Sequence, residues 1–238
     1  MPDPLVIPRR SRHRGPARHR GSWWGRAWLR SCEELALEPE DLAAGRTLAR
    51  SGRYGAVMVI SGMASAVLDP RSDAALMVQV KVAGLDDRSW AAFAGELCRR
   101  SGYLAALEAG HLADDLVTAA DELGVELLPG PGALDTACEC DAWAQPCPHA
   151  LGLATLLGWA MDTDPYVLLL LRGRTREALL EAVGDQLDAA SPAAAVDDAA
   201  NRASRILRLA EAAPPGHGLA DTAVAAYDEQ VARLVDPS

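Results

Sequence analysis

The sequence predicts an α+β fold in which an antiparallel β meander is covered by helices and followed by a helical C-terminal part. Three observations predict it. Three short runs rich in Val, Ile, Leu and Met lie between residues 54 and 82, punctuated by Gly62 and by Pro70 to Asp73. Apolar residues at helical spacing flank them on both sides. Finally, half of the 238 residues are hydrophobic and the mean hydropathy is zero, enough to bury one or two cores.

The chain opens on a basic stretch. From Pro4 to Cys32 there is no acidic residue, while Arg9, Arg10, Arg12, Arg14, Arg18, Arg20, Arg26 and Arg30 accumulate. With few apolar groups to bury, residues 1–21 read as a disordered basic arm. From Ser22 the pattern changes. Trp23, Trp24, Trp28 and Leu29 fall near helical spacing, and Leu35, Leu42 and Leu48 continue the apolar contacts through short helices, so the α+β region begins at residue 22 and extends to 124. The tryptophans read as buried anchors rather than platforms for nucleic-acid bases.

Tyr54 to Ser61, Ala64 to Asp69 and Ala75 to Val82 form the meander. Asp87 to Ser101 then places Trp90, Phe93, Ala94 and Leu97 on one helical stripe, and Leu104 to Leu107 and Leu112 to Leu123 repeat the pattern after Gly102 and Gly110. Val125 to Leu128 reads as a short strand ended by the turn cluster Pro129 to Gly132. Ala150 to Met161 is a helix with Leu153, Leu156, Leu157 and Ala160 inward; Pro165 opens another through Leu171, and a third covers Arg176 to Leu187. Residues 165–187 thus form a helical extension. Residues 188–200, mostly Ala, Asp, Ser and Pro, read as a linker before amphipathic helices in 201–238.

Composition narrows the function. With 23 basic against 33 acidic residues, the formal charge is −10, so nucleic acid is not bound through overall charge, and any such contact is local. No stretch approaches the roughly 18 to 20 apolar residues of a membrane helix. Five cysteines are too few for a disulfide scaffold and their number is odd. The expectation is a soluble, cytoplasmic protein with no membrane partner and no small-molecule substrate. There is no G-x-x-x-x-G-K-[ST], H-E-x-x-H or G-x-S-x-G motif, so nothing points to an enzyme.

The chemistry is concentrated in one place. Cys138, Cys140, Cys147 and His149 form C-x-C-x6-C-x-H. On an extended segment, residues two apart share a face, so Cys138 and Cys140 present their sulfurs side by side. Cys147 and His149 lie where a helix begins, and the positive end of the helix dipole favours thiolate there. Pro148 suits a first helical turn. Three thiolates and one neutral imidazole match a structural Zn2+ ion with no open coordination position. Asp135, Glu139 and Asp141 are candidates to accept the second ring N–H of the histidine, and Trp143 is expected to pack over the site. His111 with Asp114 and Asp115 reads as an ordinary helix start, and Cys32 and Cys98 as small core residues.

At these residues the sequence resembles the SWIM zinc-finger family, defined by C-x-C, a variable loop and C-x-H; here it reads Cys-Glu-Cys-Asp-Ala-Trp-Ala-Gln-Pro-Cys-Pro-His. The resemblance extends to bacterial SWIM proteins through Trp23 to Leu29, the Gly45 segment and Leu171 to Glu177, covering about residues 22–182. It implies an embedded ββα SWIM-type finger, placed here at residues 125–164, that binds DNA or protein and accompanies a Snf-type helicase near the nucleoid. Two readings follow. Arg9, Arg10, Arg12, Arg14, Arg18 and Arg20 of the arm, with Arg172, Arg174 and Arg176, are candidate contacts to nucleic acid or to an acidic partner. Alternatively, because Glu139 and Asp141 repel phosphate, the protein is an interaction adaptor with no nucleic-acid contact.

Overall fold

In the computed structural model, residues 4–10, 21–189, 204, 205 and 208 are described. The chain divides into two units, residues 1–184 and 185–238, and the first holds the sheet and the helices that surround it. Five strands, β1 (Leu5–Ile7), β2 (Tyr54–Ile60), β3 (Met63–Leu68), β4 (Leu76–Val82) and β5 (Leu134–Cys138), pair antiparallel in the order β1-β2-β3-β4-β5. The meander of β2 to β4 matches the sequence reading to within a residue or two at each end.

Alternation decides which face is covered. Val57, Val59, Ala64, Ala66, Leu68, Val78, Val80 and Val82 are buried, as period-2 side-chain geometry requires of one sheet face under helices. The central helix above it is α6 (Pro148–Met161), which packs on the sheet and on α1 (Trp23–Leu35) and α2 (Pro39–Ser51). Ten of its fourteen residues are buried, so it is apolar nearly all round, as expected of a helix enclosed on every side. The layer is extended by α3 (Asp87–Arg99), α4 (Ser101–Glu108), α5 (Asp114–Glu122), α7 (Tyr166–Leu171) and α8 (Arg176–Ala189).

The tryptophans of α1 are core anchors. Trp28 is fully buried and its indole N–H donates to the Ala154 carbonyl at 2.8 Å; Trp24 donates to Met161 at 2.9 Å and Trp23 to Leu112 at 3.0 Å. Each buried ring therefore has its one polar atom satisfied. Asp162, which caps α6, accepts from both the backbone N–H and the hydroxyl of Ser22, while the same hydroxyl accepts from Gly25 N–H to start α1. The end of one helix thereby fixes the beginning of the other.

Three readings are corrected. Leu5–Ile7 does not belong to a disordered arm, because it adds an edge strand to β2 in the register Leu5↔Val59, Val6↔Met58 and Ile7↔Val57. Arg12, Arg14, Arg18 and Arg20 lie outside the described residues. Val125 to Leu128 is not a strand: its side chains at 125 and 127 are buried, yet Val125 N–H bonds the Ala120 carbonyl at the end of α5, and the Glu126 carbonyl accepts from Arg172. Helix-end and guanidinium partners replace a ladder, and the fifth strand forms later, at Leu134–Cys138. Lastly, α8 runs through residue 189, two residues into the segment read as a linker. Residues 190–200 and most of 201–238 lie outside the described residues.

Among the described residues, no helix is long and apolar enough to cross a membrane.

Candidate metal centre

The last residue of β5 is Cys138, and Cys140 follows two residues beyond the strand's end. Cys138 sits opposite the buried Val78 of β4, its register partner. Backbone pairing continues past the strand's end, since Glu139 N–H donates to the Met77 carbonyl and the Glu139 carboxylate accepts from Met77 N–H. The first two sulfurs are thus held by the main sheet. Cys147 is the N-cap of α6 and Pro148 occupies its first turn; the Gln145 side chain accepts from Cys147 N–H at 3.1 Å. The second pair of cluster residues therefore rides on the start of a helix that is mostly buried.

The helix is brought close by small residues. A methyl group on Gly45 of α2 would lie 2.8 Å from Leu151 Cβ and 2.9 Å from the Pro148 carbonyl oxygen, and one on Gly152 would lie 3.0 Å from the Gly45 carbonyl and still closer to the Tyr54 hydroxyl. The two backbones meet with no room for side chains at the crossing. Tyr54, buried on β2, donates its hydroxyl proton to the carbonyl of His149 itself. Sheet, α2 and α6 together position the ligand pair at residues 147 and 149.

The result is compact. One ligand atom from each of Cys138, Cys140, Cys147 and His149 lies within 4.8 Å of all the others. The imidazole turns Nδ1 toward the sulfurs, 3.7 Å from Cys138 Sγ and 3.9 Å from Cys147 Sγ. A tetrahedral ion with bonds of about 2.0 to 2.3 Å has ligand atoms roughly 3.3 to 3.8 Å apart, so the four groups fit such an ion with only small adjustments. This Cys3His set could hold a metal ion, and all four residues singled out from sequence are brought together.

Electrostatics agree with that use. Burial pushes the Cys138 thiol up to about 12 and raises Cys147 as well. Burial acts on Cys140 in the same direction, but hydrogen bonds from Ala142 N–H and the two neighbouring thiols outweigh it and hold that thiol low. Burial, aided by the Arg53 charge, lowers His149, keeping the imidazole neutral as a ligand must be. Three sulfurs this close repel one another as thiolates. A divalent cation at their centre removes that penalty.

Other expected site residues fall elsewhere. Trp143 does not cover the centre: it is 92 % exposed, as are its neighbours Asp141 and Ala142. Asp135 accepts from Thr136 N–H and Glu139 from Met77, whereas the charged pair acting on His149 is Arg53 with Asp69, joined by 2.9 Å hydrogen bonds. Arg172 is buried, donating to the carbonyls of Ala83 and Glu126, and is corrected from candidate contact to structural pin. Arg174 pairs with Asp87, and Arg176 with Glu108 while lying over the Tyr166 ring. Arg9 donates to the Gly52 carbonyl and Arg10 lies over Trp159. His111 bonds the Ala109 carbonyl; Cys32 is buried in the core, as the sequence suggested, and Cys98 is half-buried against it.

Sequence reasoning missed Tyr54, Gln145 and the Arg53–Asp69 pair, which are remote or ordinary in the chain. Gly45 and Gly152 did carry a signal, since glycine inside a helix costs about 1 kcal/mol and calls for a packing reason.

Fold and cluster define a mixed α/β protein with four soft side chains, between a sheet edge and a central helix, that could hold a metal ion. The uncharacterized protein Rv2102 of Mycobacterium tuberculosis is 29% identical over 175 residues, which cover 73% of this chain and 63% of that protein. The match thus spans less than two thirds of that relative's length. No protein-family profile matches the chain, and no solved structure matches it.

Proposed function

We propose that the protein is a non-enzymatic, SWIM-type zinc protein whose structural Zn2+ ion, held by Cys138, Cys140, Cys147 and His149, fixes a loop for contact with a partner protein. Four protein ligands close the coordination sphere, leaving no position for water or substrate. The ion's role is to join β5 to α6 and to set the loop between Cys140 and Cys147. The observation that carries the interaction role is Trp143 at 92 % exposure in that loop. A large aromatic side chain in water is costly alone and is a common anchor of protein interfaces. Glu139 and Asp141 flank the same loop, which favours a basic partner surface over phosphate. The Snf-type helicase implied by the SWIM resemblance is the partner proposed, in the cytoplasm or at the nucleoid.

The test is co-purification and affinity measurement with the Snf-type helicase of the same genome, using the full chain and Trp143→Ala. Binding weakened at least about tenfold by the substitution supports the reading. Equal binding by both proteins, or no binding to the helicase, contradicts it.

A second reading, a nucleic-acid-associated accessory factor, is favoured by the acid-free arginine run of residues 4–32. It predicts DNA or RNA affinity that falls steeply with salt and disappears when Arg10, Arg12, Arg14, Arg18 and Arg20 are replaced. Absence of binding at low salt contradicts it.

A further inference from the structure

A cavity of about 300 Å3 lies between β1, β2, α2, α6 and the start of α7, and none of the four residues of the Cys3His cluster lines it. Its walls are apolar, formed in part by Leu5, Ile7, Val57, Leu156 and Val167. Ala49, Gly52, Gly55 and Ala160 line it as well, and these small side chains are why the space is not filled by the core. This volume is at the lower end of ligand-pocket sizes, roughly 300 to 1,000 Å3. The space opens to the surface, so an apolar molecule can enter it and take both its own surface and the walls out of water.

The polar groups at the cavity give the occupant's chemistry. Arg10 lines it with its guanidinium 5.0 Å from the centroid of the Trp159 ring, which also lines it. Among the described residues Arg10 has no carboxylate partner, in contrast to Arg46, Arg53, Arg100, Arg174 and Arg176. Asp164 is the one acid in the lining, and its carboxylate accepts from Tyr166 N–H at 2.9 Å to start α7. One unpaired guanidinium suits a monoanion such as a carboxylate, bound by two parallel hydrogen bonds. The nearby Asp164 charge disfavours a dianionic phosphate. We infer that this cavity binds a small apolar molecule carrying a carboxylate, of the medium-chain fatty-acid type, with its chain between β1 and α6 and its headgroup on Arg10.

Titration calorimetry of the full chain with decanoate, decan-1-ol and decyl phosphate, each below its micelle concentration, tests this. Decanoate is expected to bind saturably at one site per chain and more tightly than decyl phosphate. Arg10→Gln should weaken decanoate about tenfold or more, equivalent to about 1.4 kcal/mol, while leaving decan-1-ol unchanged. Ala160→Phe should fill the cavity and abolish both, with its melting temperature showing that the variant is folded; Ala49→Leu serves as a second filling variant should Ala160→Phe not fold. The inference is overturned if decanoate does not bind saturably to the wild-type protein, if Arg10→Gln leaves its affinity unchanged, if decyl phosphate binds as tightly, or if a folded filling variant still binds.

Discussion

The hydroxyl of Tyr54, on the second strand of the sheet, donates its proton to the backbone carbonyl of His149, a residue of the four-ligand cluster. The bond spans 95 positions of sequence and ties the first turn of α6 to the sheet. It makes the Cys3His cluster an extension of the main core.

Tyr54→Phe removes that bond while keeping the ring. Burial raises the phenol's pKa well above its ordinary value, so the group is a neutral donor across the usable pH range. A loss of about 0.5 to 1.5 kcal/mol in unfolding free energy is expected, together with faster loss of metal to a chelator. Chemical denaturation and a timed chelator competition check it; unchanged metal release would separate the bond from the site.

The crossing of α2 and α6 depends on glycine. Gly45→Ala puts a methyl group against the Pro148 carbonyl and Leu151 Cβ, neither of which can withdraw without moving α6. It should destabilise by about 1 to 3 kcal/mol and lower metal affinity. Gly102→Ala on α4, where nothing lies within 4 Å, should be neutral or stabilising by up to about 1 kcal/mol. Thermal melts of the two variants give opposite signs if the close approach is real.

How much of this was legible in the sequence follows from range. Cys138, Cys140, Cys147 and His149 lie within twelve positions, and local spacing alone placed the first two on an extended segment and the last two at a helix start. The meander was legible because Gly62 and the Pro70 region separate runs that alternate. Leu5–Ile7 was hidden beside arginines, since a three-residue edge strand is stabilised by a partner fifty or more residues away. Val125 to Leu128 has strand-like composition, but Arg172 takes the carbonyl that a ladder would have used. Tyr54 and Trp143 show the same limit from opposite sides: one is recruited by tertiary packing and the other released from it.

Arg172→Ala separates structure from binding. The side chain is buried with its terminal nitrogens on the Ala83 and Glu126 carbonyls, so truncation removes two charge-assisted hydrogen bonds and the packing of the buried stem. A loss of about 1 to 3 kcal/mol or more is expected, with any binding by folded protein unaffected. A variant of wild-type stability with impaired binding would return Arg172 to a contact role.

Glu108 gives the acid limb a specific contributor. Its carboxyl is held low first by the Arg176 guanidinium and then by the Tyr166 hydroxyl. A pKa lowered by folding stabilises fully above the ordinary carboxylate range, and that contribution is lost as pH falls through the lowered folded value. The melting-temperature advantage of the wild type over Glu108→Gln should therefore be largest near neutral pH and shrink on acidification. A difference that does not depend on pH would contradict this assignment.

The central claim is the metal, and the direct measurement is the metal content of the purified, tag-free protein under reducing, chelator-free conditions, by native and elemental mass spectrometry. The account predicts about one zinc ion per wild-type chain, with Cys140→Ser and His149→Ala both depleted and less stable around α6. Wild-type protein that is folded and free of metal, or full zinc retention with unchanged melting in both variants, would contradict it.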